Sequence, residues 1–345
     1  MNEERMKILR MIEEGTISAE EGANLLSAVD ESSKKDSAQT QQEKNRYGIR
    51  SFLGDAMEKI KNADFDLSFG EYVEYHDETI FYQESFNDVD LSISNGSVKI
   101  HTWGKDEVKA SYGVKVYQVE NEEEAKERFQ EEVQIAIKNG VFRLASPSKK
   151  LKINVELFLP EKIYAFIKSQ LTNGKLNIEN IESDHFQLKT SNGPVYGERV
   201  SGKTCKIQTG NGEIELKGSR FDDCEADTIN GAIKITGDVG KIDASAVSGA
   251  ITIDHKGKGA HTGFYKTTTG RIQVSLPSEK RIDGVLKTKI GYVSCELENY
   301  KILKDKKDVI NKMLEFEAYE QFEEAYHIEA ETKTGSVTLQ PPVKL

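Results

Sequence analysis

One short phrase returns along this chain at nearly constant spacing, and it restricts the possible folds more than any other feature. It reads Asn173-Gly174-Lys175-Leu176-Asn177-Ile178, then Asn192-Gly193-Pro194-Val195, then Asn211-Gly212-Glu213-Ile214-Glu215-Leu216, then Asn230-Gly231-Ala232-Ile233-Lys234-Ile235. The glycines at 174, 193, 212 and 231 are three steps of 19 apart; Gly249 follows after 18, and Gly270 and Gly291 after 21 each. Outlying copies stand at Asn95-Gly96-Ser97-Val98 and Thr334-Gly335-Ser336-Val337. A fixed period of about 20 residues marks a stacked repeat.

Aligned on the glycine, the copies are apolar on alternate residues, which is the period of a strand. After it come pairs such as Ile214/Leu216 and Ile233/Ile235, and before it come triplets such as Cys205/Ile207/Thr209 and Cys224/Ala226/Thr228. Each copy is therefore two short strands hinged at a turn. Asn-Gly by itself suggests a hairpin, because both residues tolerate positive φ. Equal periods with like over like favour a coil instead, each turn lying on the one before. The expected fold is mainly β: a single-stranded parallel β-solenoid (β-helix) with coils of about 19 residues, strands about 4.8 Å apart and, by the crossover rule, a right-handed wind. Gly96, Gly174, Gly193, Gly212, Gly231, Gly249, Gly270, Gly291 and Gly335 are its structural turns. The outward columns, such as Lys189, Gln208, Asp227, Ser245 and Lys266, mix both signs and read as a solvated face, with an extended binding face as the functional alternative.

The rest of the chain falls into four parts. Residues 1–30 read as a helical hairpin, with Ile8, Leu9 and Ile12 on the first helix, Ser18 and Glu21 as a capping box, and Leu25 and Leu26 on the second. Two such short helices bury little alone, so they are expected to bind a second copy or a partner. Residues 31–46 contain almost nothing apolar and read as a flexible linker. Residues 47–64 carry one helical stripe, Ile49, Phe52, Leu53, Met57 and Ile60, flanked by Arg50, Lys59 and Lys61. That helix either caps the solenoid or makes peripheral contact with an anionic membrane or a partner. Residues 65–345 are the solenoid, with insertions near 101–166 and 299–327. Within the insertions, an acidic helix is expected at 121–132, a hairpin at 134–144, and a short helix through Val309, Ile310, Met313, Leu314 and Phe316.

The chemistry is sparse. A net charge of -11 argues against a grip on nucleic acid. The six histidines (76, 101, 185, 255, 261 and 327) show no metal-binding spacing, and no nucleophile elbow or phosphate loop occurs. No catalytic, cofactor or metal site is expected. Cys205 and Cys224 would be neighbours on adjacent coils and, like Cys295, read as small buried thiols. The enzymatic alternative is a carbohydrate-active β-helix, using Asp222, Asp223, Asp227 and Asp243 from adjacent coils. With no apolar run long enough to span a bilayer and no signal peptide, the expected location is cytoplasmic or membrane-peripheral, export by a signal-free route being the alternative.

The rungs from Gly174 to Gly335, the preceding Val155-Glu156-Leu157-Phe158-Leu159-Pro160, the closing Thr332-Lys333-Thr334-Gly335-Ser336-Val337, and Lys7-Ile8-Leu9-Arg10-Met11-Ile12-Glu13-Glu14-Gly15 with Ser18-Ala19-Glu20-Glu21 resemble the YvlB-like putative-adhesin family, a bacterial domain of unknown function. The resemblance spans nearly the whole chain. It implies a role in cell-envelope stress response or maintenance, a phage-shock-type membrane protein as partner, and no catalytic residues. A surface adhesin is the other role it implies.

Overall fold

The computed structural model describes residues 70–82 and 85–342. They form a mainly β unit in which 23 strands share one continuous hydrogen-bonded sheet, with a single helix, Glu122–Glu132, among the described residues. The N-terminal hairpin, the linker and the amphipathic helix at 47–64 lie outside the described residues.

Strands one repeat apart pair in parallel and in register. Ser201–Asn211 lies along Ile214–Asn230 with Cys205 opposite Cys224, Ile207 opposite Ala226 and Asn211 opposite Asn230. The next coil puts Leu216 opposite Ile235 and Cys224 opposite Ile242. The same register joins Ile163–Asn173 to Glu182–Asn192, and that strand to Ser201–Asn211. Inward positions stack as continuous columns, so that Leu176, Val195, Ile214, Ile233, Ile251 and Ile272 are all fully buried. Stacking of this kind lets each rung bury the apolar face of its neighbours, which none could do alone.

The hinge explains the glycine. Gly193 has φ +144°, and a Cβ there would lie 2.1 Å from the carbonyl oxygen of Gly174 one coil earlier. Both the dihedral and the close approach exclude a side chain. Beside this glycine seam run two polar straps. Asn173, Asn192, Asn211 and Asn230 each donate from Nδ2 to Oδ1 of the asparagine one coil before, at 2.8–2.9 Å. Inside, Thr190, Thr209 and Thr228 each donate from Oγ1 to the carbonyl oxygen of Gly174, Gly193 and Gly212 respectively. The buried hydroxyls are thereby satisfied, and the otherwise costly polar atoms reinforce the turn.

Two expectations about the ladder need correction. By sequence order the Gly335 copy follows Gly291 at the end of the stack; in space it lies between Gly270 and Gly291. Ala325–Thr334 pairs in parallel with Thr262–Thr269 on one side and with Arg281–Ile290 on the other. Val337–Gln340 likewise separates Ile272–Ser275 from Val293–Cys295. The inward residues Ile328, Ala330, Thr332, Val337 and Leu339 match either neighbour equally well, so column identity does not rank the coils. The expected helix through Val309–Phe316 is instead a tight loop followed by the strand Lys312–Ala318, antiparallel to Arg281–Ile290. Leu314, Phe316 and Ala318 are buried on alternate residues, a strand period, whereas Val309 and Ile310 face water.

Antiparallel strands flank the parallel ladder at both ends. Tyr72–Tyr82 pairs with Glu107–Tyr117, which pairs in turn with Leu151–Pro160. Gln134–Lys138 and Val141–Ser146 form the expected hairpin. The acidic helix is capped as its sequence requires, Glu124 N–H donating to Asn121 Oδ1 at 3.0 Å. It is pinned through Phe129, which stacks on Tyr112 and meets Tyr75 edge-on.

Candidate functional site

Three places in the described residues gather polar side chains. The first is a shallow groove of about 220 Å³ on the outer face of the coils. Its lining includes Lys175, Asn177, Tyr196, Glu198, Glu215 and Lys217, residues that strand alternation turns away from the core. Tyr196 Oη donates to Glu213 Oε1 at 2.6 Å, and Lys175 Nζ stands 4.7 Å from the centre of the Tyr196 ring. That hydrogen bond, ahead of desolvation and nearby carboxylates, pushes the Tyr196 phenol up to about 12, and it holds the Glu213 carboxyl below its usual range. Asn177 Oδ1 has no hydrogen-bond partner among the described residues. The groove thus offers an aromatic face and both signs of charge, a lining suited to a polar, extended ligand.

The second is a row of carboxylates across adjacent coils. Register places Lys206, Glu225 and Asp243 in one outward column and Gln208, Asp227 and Ser245 in the next. Lys206 Nζ bonds Glu225 Oε1 at 2.6 Å, Lys241 Nζ meets Asp223 Oδ2 at 3.3 Å, and Gln208 Nε2 donates to Asp227 Oδ2 at 3.2 Å. The expectation of a solvated face fails for this column: Gln208, Asp227 and Ser245 are buried. In-register stacking puts Gln208 and Ser245 directly beside Asp227 on either side. Burial pushes Asp227 up to about 7, with Glu225 and Asp243 adding to the rise and Gln208 opposing it. Burial also raises Asp243, again with Glu225 close by. Such a carboxyl can exchange a proton near neutrality. Of the four aspartates named for the enzymatic alternative, Asp227 and Asp243 stand in adjacent columns of this row, Asp223 is taken by Lys241, and Asp222 is exposed. No group of three or more His, Cys, Asp or Glu among the described residues is arranged to hold a metal.

The third is internal. Tyr326 Oη lies 3.0 Å from His255 Nε2 and 2.8 Å from Tyr265 Oη, and all three residues are buried. Burial pushes His255 down to about 4, and it raises both phenols. The sequence did carry a signal for this cluster. The column holding Cys205, Cys224 and Ile242 is broken by Gly263, where a Cβ would meet Tyr326 Oη at 2.3 Å. A glycine interrupting an apolar column marks room reserved for a neighbour.

Of the expected partner and membrane contacts, Ile8, Leu9, Ile12, Leu25, Leu26, Ile49, Phe52, Leu53, Met57 and Ile60 all lie outside the described residues. The turn glycines stand along one seam, in the order 96, 174, 193, 212, 231, 249, 270, 335, 291. Cys205 and Cys224 are free, buried neighbours, and burial raises the Cys205 thiol with Cys224 beside it; Cys295 is half-buried.

The Toastrack DUF4097 family model matches residues 86–340, and a SHOCT-like domain model matches residues 3–34. The chain is 36% identical over 361 residues to an uncharacterized protein, YvlB, of Bacillus subtilis, with 99% of each chain covered. Among solved structures, a putative adhesin from Bacteroides fragilis is 12% identical with a TM-score of 0.43, covering 77% of this chain and 97% of that one. A putative adhesin from Parabacteroides merdae is likewise 12% identical with a TM-score of 0.45, covering 77% and 96%.

Proposed function

The chain belongs to the Toastrack DUF4097 family, and on that premise we propose that it is a non-enzymatic interaction scaffold serving the stress response or maintenance of the bacterial cell envelope. In this reading the parallel coils wind as a stiff solenoid whose outer columns are the working surface. The observation that carries it is the in-register ladder: Lys206, Glu225 and Asp243, or Asn177, Tyr196 and Glu215, recur one coil apart on the outer side. A rigid, evenly spaced array suits an extended partner, because little ordering entropy is lost on its side when it binds. The groove beside Tyr196 is the point where such a partner meets an aromatic face and both signs of charge.

The region matching a SHOCT-like domain, residues 3–34, supplies recruitment: it binds a phage-shock-type membrane protein or a second copy through Ile8, Leu9, Ile12, Leu25 and Leu26. The stripe Ile49, Phe52, Leu53, Met57 and Ile60 adds peripheral membrane contact, and the protein works in the cytoplasm at the membrane surface.

The test is affinity purification from envelope-stressed cells with the full chain, a chain lacking residues 1–30, and Tyr196→Ala. Loss of specific co-purifying proteins from the truncated chain supports recruitment through the N-terminal region. An unchanged set in both variants sinks the scaffold reading.

A further inference from the structure

The large apolar side chains of the coils are almost wholly buried, yet one end of the sheet leaves several in water. Val309 is 93% exposed and Ile310 56% at the tip of the hairpin joining Tyr300–Lys307 to Lys312–Ala318, and Ile290 and Tyr292 are 60% and 61% exposed. These four belong to one surface. Asn311 N–H donates to the Lys289 carbonyl oxygen at 3.0 Å, and Lys312 Nζ donates to the Gly291 carbonyl oxygen at 2.5 Å. The two bonds hold the tip against the turn that carries Ile290 and Tyr292. A contiguous exposed apolar patch of this kind marks an interaction site.

The charge around it narrows the partner. On a chain of net charge -11, the strands meeting here are rich in lysine. Register sets Lys287 opposite Met313 and Met313 opposite Lys306, so that these lysines share one face. Lys287, Lys289 and Lys304 make no ion pair among the described residues. Among the described residues the strand Tyr300–Lys307 is paired on one side only, with Lys312–Ala318; Lys301, Lys304, Lys306 and Lys307 line it, Lys301, Lys306 and Lys307 paired with Glu317, Asp308 and Asp305. Lysines on an edge strand discourage edge-to-edge pairing, and a two-fold contact between copies would set Lys287, Lys289 and Lys304 against their own counterparts. The apolar tip then lacks a protein mate of its own kind, and the chemistry that accepts aliphatic side chains together with lysine ammonium groups is a lipid surface bearing phosphate.

We propose that the tip residues Val309 and Ile310, with Ile290 and Tyr292, form a docking point for an anionic lipid bilayer, the tip entering the headgroup boundary while Lys287, Lys289 and Lys304 meet lipid phosphates. The proposal is independent of the scaffold reading and of the stripe at 49–60.

The test is flotation of the full chain with vesicles of phosphatidylglycerol and phosphatidylcholine in equal parts, and with phosphatidylcholine alone. The parent chain is expected to float with the anionic vesicles, to do so less as salt rises, and to stay behind with the neutral ones. Val309→Asp with Ile310→Asp should reduce flotation at least tenfold, in the full chain and equally in a chain whose stripe carries Phe52→Glu and Met57→Glu, without moving the melting temperature, since both side chains are exposed. Each of Lys287→Gln, Lys289→Gln and Lys304→Gln should weaken binding roughly fivefold, the equivalent of one lysine near an anionic surface. Failure of the parent to float, or undiminished flotation of the tip variant, would overturn the proposal. So would a concentration-dependent dimer that the tip variant abolishes, in light scattering without lipid, if no flotation accompanies it; the surface would then belong to a second copy.

Discussion

The phenol oxygens of Tyr265 and Tyr326 meet at 2.8 Å in the core, although 61 residues separate them in the chain. Tyr326 stands on the rung that enters the stack last in sequence, between two coils already laid down, and its hydroxyl also reaches His255 at 3.0 Å. Removing that hydroxyl leaves the buried Tyr265 phenol and His255 imidazole with only their own longer contact, at 3.4 Å. Tyr326→Phe is expected to lower stability by about 1–3 kcal/mol, read from the urea midpoint at unchanged slope. Equal stability would mean that the cluster is packing alone.

His255 sets an acid limit. Its folded-state pKa is depressed to about 4 by burial, against an ordinary value near 6.5. Between these values the unfolded chain takes up a proton that the folded chain refuses. The contribution of His255 is therefore fully present above about pH 6.5 and is lost as pH falls toward 4, a change on the order of 2–3 kcal/mol. Urea unfolding at pH 7 and pH 4.5 should show this loss, and His255→Phe should remove most of the difference. An unchanged pH dependence in the variant would contradict the assignment.

Asp227 acts in the opposite sense. Burial raises its carboxyl to about 7, so the folded chain keeps a proton that the unfolded chain gives up from about pH 4 upward. Its ionisation penalises the fold increasingly as pH rises to about 7, then stays constant. Asp227→Asn keeps the Gln208 contact and removes the penalty, so it should stabilise the protein by about 1–3 kcal/mol at pH 8 and have little effect at pH 4. Melting temperatures at the two pH values decide it. Glycan turnover lost in the same variant would instead revive a catalytic role for the carboxylate row.

The glycine seam predicts a graded mutational response. Gly193→Ala meets both a φ of +144° and the Gly174 carbonyl at 2.1 Å. Gly140, at φ +77° in the hairpin turn, has nothing within 4 Å of a Cβ. Gly140→Ala should cost about 1 kcal/mol, from backbone strain alone. Gly193→Ala should cost about 3 kcal/mol or more, since neighbouring backbone must shift as well. Comparable losses, measured by thermal unfolding, would show that the seam yields easily.

The repeat was legible because stacking imposes the same demand on each coil: Ile214 over Ile233, Thr209 over Thr228, Asn211 over Asn230. The acidic helix at 121–132 and the 134–144 hairpin were legible too. The strand Lys312–Ala318 was not, because Met313, Leu314 and Phe316 are too few to distinguish a helical from a strand period. Of the candidate sites, the carboxylate row could be placed from register alone. Its burial at Asp227 could not, since alternation predicts direction and not cover.

By itself, then, the amino-acid order determined the period, the strands of the repeats, their turn positions and which of their side chains face inward, all of which are local or nearest-neighbour properties. Tertiary structure alone decided that the Gly335 rung sits between Gly270 and Gly291, that Tyr326 is the residue brought into the room left by Gly263, and that Val309 and Ile310 remain in water. Identical inward columns make the coils interchangeable as partners, so their spatial order depends on where the excursion at 299–324 returns the chain, a long-range property that no single repeat encodes.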